Sequence, residues 1–282
     1  MGISDAWRQA IDDYLGVLTA AGAPKTTRGT RRQHLEHMAR RVGEGPWALT
    51  PDDVVDYAET QDWASETRRG RRATFVGFWA WAMETGRADV DASSGLRAIR
   101  PSDPDPRPVP DDVYLAALAR ADELEALWID LAAEHGLRRA EIARIASSDI
   151  VPTLLGHDLR VQGKGKKIRV VPLTPAMARA LLERSAALGG GWLWPGDDDG
   201  HVSPRWLGKR VTRLLDGAWT IHKLRHRAAT RFWLASDGDA YLVADLMGWA
   251  NLNMVRRYVA LPSDRKRAIV LAASRSGASI AA

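Results

Sequence analysis

Apolar residues recur every three or four positions through most of the chain, which is the signature of helices that bury one face. In the first hundred residues the pattern predicts four. Ile11, Leu15 and Leu18 define a stripe over Asp5–Ala20, and Leu35, Met38 and Val42 define one over Thr26–Val42. Thr50-Pro51-Asp52-Asp53 is an N-cap with proline at the first helical position, opening a helix over Asp52–Gln61. Ser65–Glu84 follows, with Phe75, Phe78, Trp79 and Ala82 on its apolar face. Later segments read as helices at Asp111–Arg120, Glu123–Glu134, Arg138–Ala146, Thr174–Ala187, Pro204–Leu215, Ile221–Ala235, Ala240–Met247, Leu252–Val259 and Asp264–Ala273. Two stretches, His157–Val161 and Ile168–Pro172, alternate with period two instead. They predict a small antiparallel sheet closed by the turn Gly163-Lys164-Gly165-Lys166. The expected class is therefore mainly α, an all-helical front part and a mixed α+β back part.

One segment breaks the periodicity. Ala98–Pro110, AIRPSDPDPRPVP, holds five prolines and almost no large apolar side chains. Proline lacks the backbone donor and pushes its predecessor toward extended conformations, so this stretch reads as a linker. It divides 282 residues into an N-terminal domain, 1–97, and a C-terminal domain, 111–282, joined by 98–110.

Charge adds a preference for anionic partners. The formal balance is +5, but the stretch Ser203–Arg267 alone carries thirteen Lys or Arg against five Asp and no Glu. A basic third of this kind suits a phosphate-bearing surface. Two arginine groups in the front part, Arg28, Arg31 and Arg32, then Arg68, Arg69, Arg71 and Arg72, lie near helix starts, where free backbone N–H groups also attract phosphate. Cysteine is absent, which excludes disulfides, thiolate metal sites and cysteine nucleophiles. The acidic, amphipathic N-terminus is unlike a secretory signal, and no apolar run approaches the ~20 residues that span a bilayer. A soluble, cytoplasmic, nucleoid-associated protein in a bacterial host is expected.

Four motifs carry chemistry. His222-Lys223-Leu224-Arg225-His226 sets an imidazole and a guanidinium three residues apart on one helical face, where both can meet an oxygen-rich group. His222 and His226 also have zinc-site spacing, but no further ligand cluster completes such a site, and no metal or other cofactor is expected. Gly136-Leu137-Arg138-Arg139-Ala140-Glu141 puts Arg138 at a helix start with Glu141 able to orient it. Gly163-Lys164-Gly165-Lys166-Lys167 is a lysine-bearing turn without the pattern of a nucleotide-binding P-loop. Leu246-Met247-Gly248-Trp249 precedes Arg256-Arg257-Tyr258, a tyrosine flanked by cations that favour a phenolate.

In this order, GLRRAE, GKGKKIRVVPL, HKLRH, LMGW and Tyr nine residues later, the motifs resemble the tyrosine recombinase (phage integrase) family over essentially the whole chain. The architecture is similar to its compact two-domain members, such as the Cre and Xer recombinases, with no room for a preceding arm-binding domain. The resemblance implies a helical (SAM-like) core-binding domain ahead of a catalytic domain. It implies that Arg138 and Arg225 grip the scissile phosphate, that Lys164 is the hairpin lysine, and that His222 is the first histidine. Trp249 stands where histidine is commonest, Tyr258 is the nucleophile and Glu141 supports the first arginine. An indole donates a hydrogen bond but does not shuttle protons, so proton transfer falls to His222. The implied partners are double-stranded DNA core sites and three further copies of the chain on two duplexes, with an accessory directionality factor. Integration of phage or other mobile DNA through a 3′-phosphotyrosyl intermediate and a Holliday junction is the expected activity. Xer-like dimer resolution, type IB topoisomerase action and non-catalytic DNA binding are the alternatives. The last residues, Ile280-Ala281-Ala282, read either as a tail docking on a neighbouring protomer or as a degradation tag.

Overall fold

The computed structural model describes residues 2–101, 105–163, 167–259, 267, 270 and 271. The chain forms two compact units, Met1–Asp103 and Pro104–Ala282, and the division falls inside the proline-rich stretch. Among the described residues no helix is long and apolar enough to cross a membrane. The predicted Lys164 turn, most of the predicted helix at Asp264–Ala273, and the C-terminal tail lie outside the described residues.

The first unit consists of α1 (Asp5–Ala20), α2 (Lys25–Val42), α3 (Pro51–Glu59) and α4 (Ser65–Glu84). Local signals set its boundaries. The Ser4 hydroxyl caps α1, and Thr50 and Asp53 form a reciprocal capping box at α3 with Pro51 in its first turn. The core is aromatic: Trp7, Phe75, Phe78 and Trp79 are all under 2% exposed. Trp7 stacks on Phe78 at 5.9 Å and meets Trp79 edge-on at 6.4 Å. Ring pairs of this kind add roughly 0.5–1.5 kcal/mol each beyond the area they bury.

The second unit opens with α5 (Asp111–Arg120) and α6 (Glu123–Ala133), the latter started by an Asp122–Glu125 capping box. The short α7 (Arg139–Ile142) and a 3₁₀ turn at Ser147–Asp149 lead into the sheet. Its strands β1 (Ile150–Thr153), β2 (Gly156–Gln162) and β3 (Ile168–Pro172) run in the order β1-β2-β3, all antiparallel. Then come α8 (Pro175–Leu188), a short β4 (Pro195–Asp198), α9 (Pro204–Leu214), α10 (Ile221–Ala235), α11 (Ala240–Met247) and α12 (Asn253–Tyr258). A core built on Trp128, Leu131, Leu159, Leu181, Trp194 and Leu224 joins the helices to the sheet. A smaller cluster of Ala229, Val243, Met247, Val255 and Tyr258 packs α11 and α12 onto α10.

Two expectations are corrected, and one contact is added at the linker. The helix expected at Arg138–Ala146 is a single turn, because Arg138 is its extended N-cap and Ala146 already bridges to Trp192. The sheet gains β1, which has only four residues and too little alternation to register as a strand. The downstream end of the proline-rich stretch is not free: Val109 is buried, and its N–H donates to the Lys223 carbonyl at 3.3 Å.

Candidate active site

The site is assembled where the ends of five elements of the second unit, α7, β3, α10, α11 and α12, meet. Helix α6 ends at Ala133, and Gly136, with a φ of +67°, then turns the chain and brings Arg138 to the N-cap of α7. A side chain at Gly136 would place its Cβ 2.7 Å from Met247 Sδ, so glycine also permits α11 to approach. Glu141 folds back to accept the Arg138 N–H at 2.8 Å and its guanidinium at 2.7 Å. From β3, Arg169 donates to both Glu141 oxygens at 2.9 Å. The Glu141 side chain is 4% exposed and that of Arg169 9%. Burial raises the carboxyl's pKa, but the Arg169 hydrogen bonds and charge, then Arg138, outweigh it and leave the value at about 2.

Helix α10 contributes His222, Arg225 and His226. Arg225 is fully buried, and its guanidinium donates to the carbonyls of Gly136 and Met247. Burial, then the charge of Arg138, bring its pKa down to about 9, so it remains a cation at neutral pH. Three arginines thus grip the C-terminal carbonyls of α11 in succession. Arg169 Nε takes Leu246 at 3.0 Å, Arg225 takes Met247, and Arg138 reaches Gly248 at 3.4 Å. A helix C-terminus is the negative end of the macrodipole and presents unpaired carbonyls, so it gathers like charges that would otherwise repel.

Tyr258, 7% exposed, closes the cluster from α12. Its ring lies 4.6 Å from that of His226, 5.0 Å from Trp249 and 5.3 Å from His222, centroid to centroid. The Arg225 guanidinium carbon stands 6.0 Å from the same ring. Three buried nitrogens around the tyrosine, Arg225 Nε, His226 Nδ1 and Trp249 Nε1, have no hydrogen-bond partner among the described residues. His222 is exposed, yet desolvation by the surrounding protein, with the charges of Arg225 and Lys223, lowers its pKa to about 4. Burial and the neighbouring His222 take His226 to about 3. Both imidazoles are neutral at pH 7 and available to accept a proton.

An open cleft of about 730 Å³ adjoins the group, lined by Arg138, Arg139, Arg205, Lys209, His222 and Arg225 among others. Its cationic lining, which holds no carboxylate among the described residues, suits a phosphodiester. Arg138, Glu141, His222, Arg225, Trp249 and Tyr258, scattered over 121 residues of sequence, are therefore brought together. Lys164 lies outside the described residues.

Two further residues, Arg139 and Arg169, stand inside the quoted motifs with no role assigned to them, and two more, Arg205 and Lys209, stand outside any motif. A signal for Arg169 exists in the strand register. It shares parity with buried Val171 and faces buried Val161, and a charge on the inward face of a sheet requires a partner. Arg205 and Lys209 sit four apart on α9, away from buried Leu207 and Val211.

In the first unit the arginine groups have mixed partners. Arg32 pairs with Asp12, and Arg69 with Glu66. Arg28 donates to Thr19, Arg31 to Thr74, Arg68 to the Gln61 carbonyl and Arg72 to that of Leu96. Arg71 lies 4.4 Å over the Trp63 ring, with Nε and one terminal nitrogen unpaired among the described residues.

Comparison with known proteins agrees with the motif order. Residues 111–265 match the model of the phage integrase family. The chain is 30% identical to tyrosine recombinase XerC of Xylella fastidiosa strain 9a5c, covering 89% of this chain and 92% of that protein. It is 30% identical to tyrosine recombinase XerC of Chromobacterium violaceum, covering 90% of each. Among solved structures, a lambda integrase tetramer bound to a Holliday junction matches with a TM-score of 0.72 at 17% identity, over 90% of this chain and 77% of that one. The XerH recombinase bound to its difH substrate, in a post-cleavage complex, matches with a TM-score of 0.69 at 17% identity, over 89% and 81%. These two share the fold. With the family model spanning more than half of the chain and relatives aligned along nine-tenths of it, the chain belongs to the phage integrase family of tyrosine recombinases.

Proposed function

We propose that the protein is a site-specific DNA recombinase that integrates phage or other mobile DNA, cutting and rejoining strands through Tyr258. The observation that carries this reading is the ring of His222, His226, Trp249 and Arg225 around one tyrosine, beside a basic cleft, where three nitrogens are unpaired and no carboxylate lines the cleft among the described residues. Arg138 and Arg225 supply permanent charge to the non-bridging oxygens of the scissile phosphate, and the Trp249 N–H adds a third donor. His222, neutral in the free protein, takes the Tyr258 proton as the phenolic oxygen attacks phosphorus. The bond to the 5′-oxygen breaks, Lys164 protonates the departing hydroxyl, and the DNA 3′ end stays esterified to the tyrosine. A partner strand's 5′-hydroxyl reverses the step, which yields a Holliday junction when four copies hold two duplexes. The first unit serves as the core-binding domain, with Arg28, Arg31, Arg68, Arg71 and Arg72 as its DNA contacts. Arg32 and Arg69, already paired with carboxylates, contribute less. An accessory factor sets direction.

The XerC proteins matched along nearly their full length favour a second reading, resolution of chromosome or plasmid dimers. A two-plasmid assay separates the two: integration joins unlike sites and persists, whereas resolution acts reversibly on identical sites. The chemistry itself is tested on a nicked duplex that traps the covalent intermediate. The wild type forms a protein–DNA adduct, and Tyr258→Phe binds DNA but forms none. An adduct with the phenylalanine variant would overturn the assignment.

A further inference from the structure

The motif GKGKKIRVVPL contains Arg169 but gives it no role, and Arg169 does not line the basic cleft, yet among the described residues it is the most heavily engaged cation of the site. Its two terminal nitrogens hold the two oxygens of Glu141 at 2.9 Å, and its Nε holds the Leu246 carbonyl at 3.0 Å. Arg138, by contrast, has one guanidinium contact to Glu141, at 2.7 Å, a long one to Gly248, and 36% of its side chain exposed. The same carboxylate therefore faces two arginines and gives its fork to the buried one.

We propose that Arg169 is a positioning residue that holds Glu141 in a bidentate pair, so that Arg138 keeps its guanidinium free for the scissile phosphate. The inference rests on the reading that Arg138 grips that phosphate. A carboxylate and a guanidinium match as two parallel hydrogen bonds, and a buried carboxylate takes the best fork offered. Without Arg169, the partner in reach of Glu141 with the same geometry is Arg138, anchored three residues away in the same turn. Drawn into that pair, Arg138 turns from the cleft toward the protein. Arg169 also ties β3 to the turn that carries Trp249, through Leu246. Gly248 makes this passage possible: a Cβ there would stand 2.7 Å from Arg169 Cδ.

Among the described residues, the charged groups that act on Glu141 are three arginines, and the pocket it borders holds two more arginines and one aspartate. Arg138 comes from its own turn, Arg169 from β3 and Arg225 from α10, while Arg144, Arg160 and Asp149 line the neighbouring pocket. Removing Arg169 removes the largest influence that keeps this carboxyl ionised and leaves burial opposed chiefly by Arg138 and Arg225. Its pKa then climbs, and protonation at lower pH releases Arg138.

The test is single-turnover adduct formation on the nicked duplex at saturating protein, with each variant confirmed folded by circular dichroism. The wild-type adduct is the control for the underlying reading, and its absence would sink that reading itself. Given that adduct, Arg169→Gln is expected to cleave about tenfold or more slowly than wild type at pH 8 while binding DNA within about twofold. The deficit should shrink toward pH 5.5. The double variant Arg169→Gln/Glu141→Gln, which removes the competing carboxylate, is expected to recover most of the loss at pH 8. If the glutamine variant does not fold, Arg169→Lys keeps the buried charge without the fork, and a several-fold loss with no recovery at low pH is expected. Wild-type rates in either single variant, a deficit of equal size at every pH in the glutamine variant, or a double variant as slow as Arg169→Gln would each overturn the proposal.

Discussion

His226 offers a test of the site's electrostatics that does not depend on DNA. It is 4% exposed, its ring lies tilted against that of Tyr258 at 4.6 Å, and its Nδ1 has no partner among the described residues. Burial, with His222, Lys223 and Arg225 close by and only Asp105 opposing, lowers its pKa to about 3 from the usual 6.5. The folded protein thus refuses a proton that the unfolded chain accepts, so the unfolded state binds more protons between pH 6.5 and 3. Stability is complete above pH 6.5 and falls with acidity through that window. Each pH unit inside it is worth about 1.4 kcal/mol, so a move from pH 7.5 to 5 removes about 2 kcal/mol through this one residue. Glu141 does not confuse the measurement, because its depressed pKa withdraws stability only below its unfolded value near 4.5. His226→Phe keeps a ring against Tyr258 and removes the titrating group. Urea unfolding of wild type and variant at both pH values reads the difference. The wild type should lose about 2 kcal/mol more than the variant. Parallel losses would show that His226 is solvated or paired, and the account of a neutral, desolvated imidazole beside the tyrosine would be wrong.

Two further outcomes follow from the geometry. Gly248→Ala places a side chain at φ +61° and drives its Cβ into Arg169. It should destabilise by about 1–2 kcal/mol from the backbone alone and also slow adduct formation, and an unchanged urea midpoint would refute it. Trp249→Phe removes the unpaired Nε1 and keeps most of the ring contact, so cleavage should fall about tenfold or more at unchanged DNA affinity. Cleavage at the full rate would leave that indole a packing role alone.

Much of the architecture was legible in one dimension because its causes are local. Helices α1, α4, α5, α10 and α11 begin and end where periodicity, caps and glycines place them, at Asp5–Ala20, Ser65–Glu84, Asp111–Arg120, Ile221–Ala235 and Ala240–Met247. A helix needs only its own backbone partners and an apolar stripe, and both are written in neighbouring residues. The order of Arg138, His222, Arg225, Trp249 and Tyr258 was equally visible, as a motif. Strand β1 was not, since four residues become a strand only through the partner they pair with.

The charges show where sequence stops. Arg32 looks like its neighbours in the chain, yet Asp12 from another helix already pairs with it. Arg169 looks like one more strand residue, yet it takes both oxygens of the carboxylate that Arg138 also contacts. Periodicity reports which face of an element is buried, and so the sequence by itself determined the helices and the candidates for chemistry. The partner of a charge is whatever the packing of distant elements sets within about 3 Å, because the strength of a hydrogen bond falls steeply with distance and angle. Only the tertiary structure decided that three arginines from α7, β3 and α10 would converge on the last carbonyls of α11, and that a tyrosine would close over them.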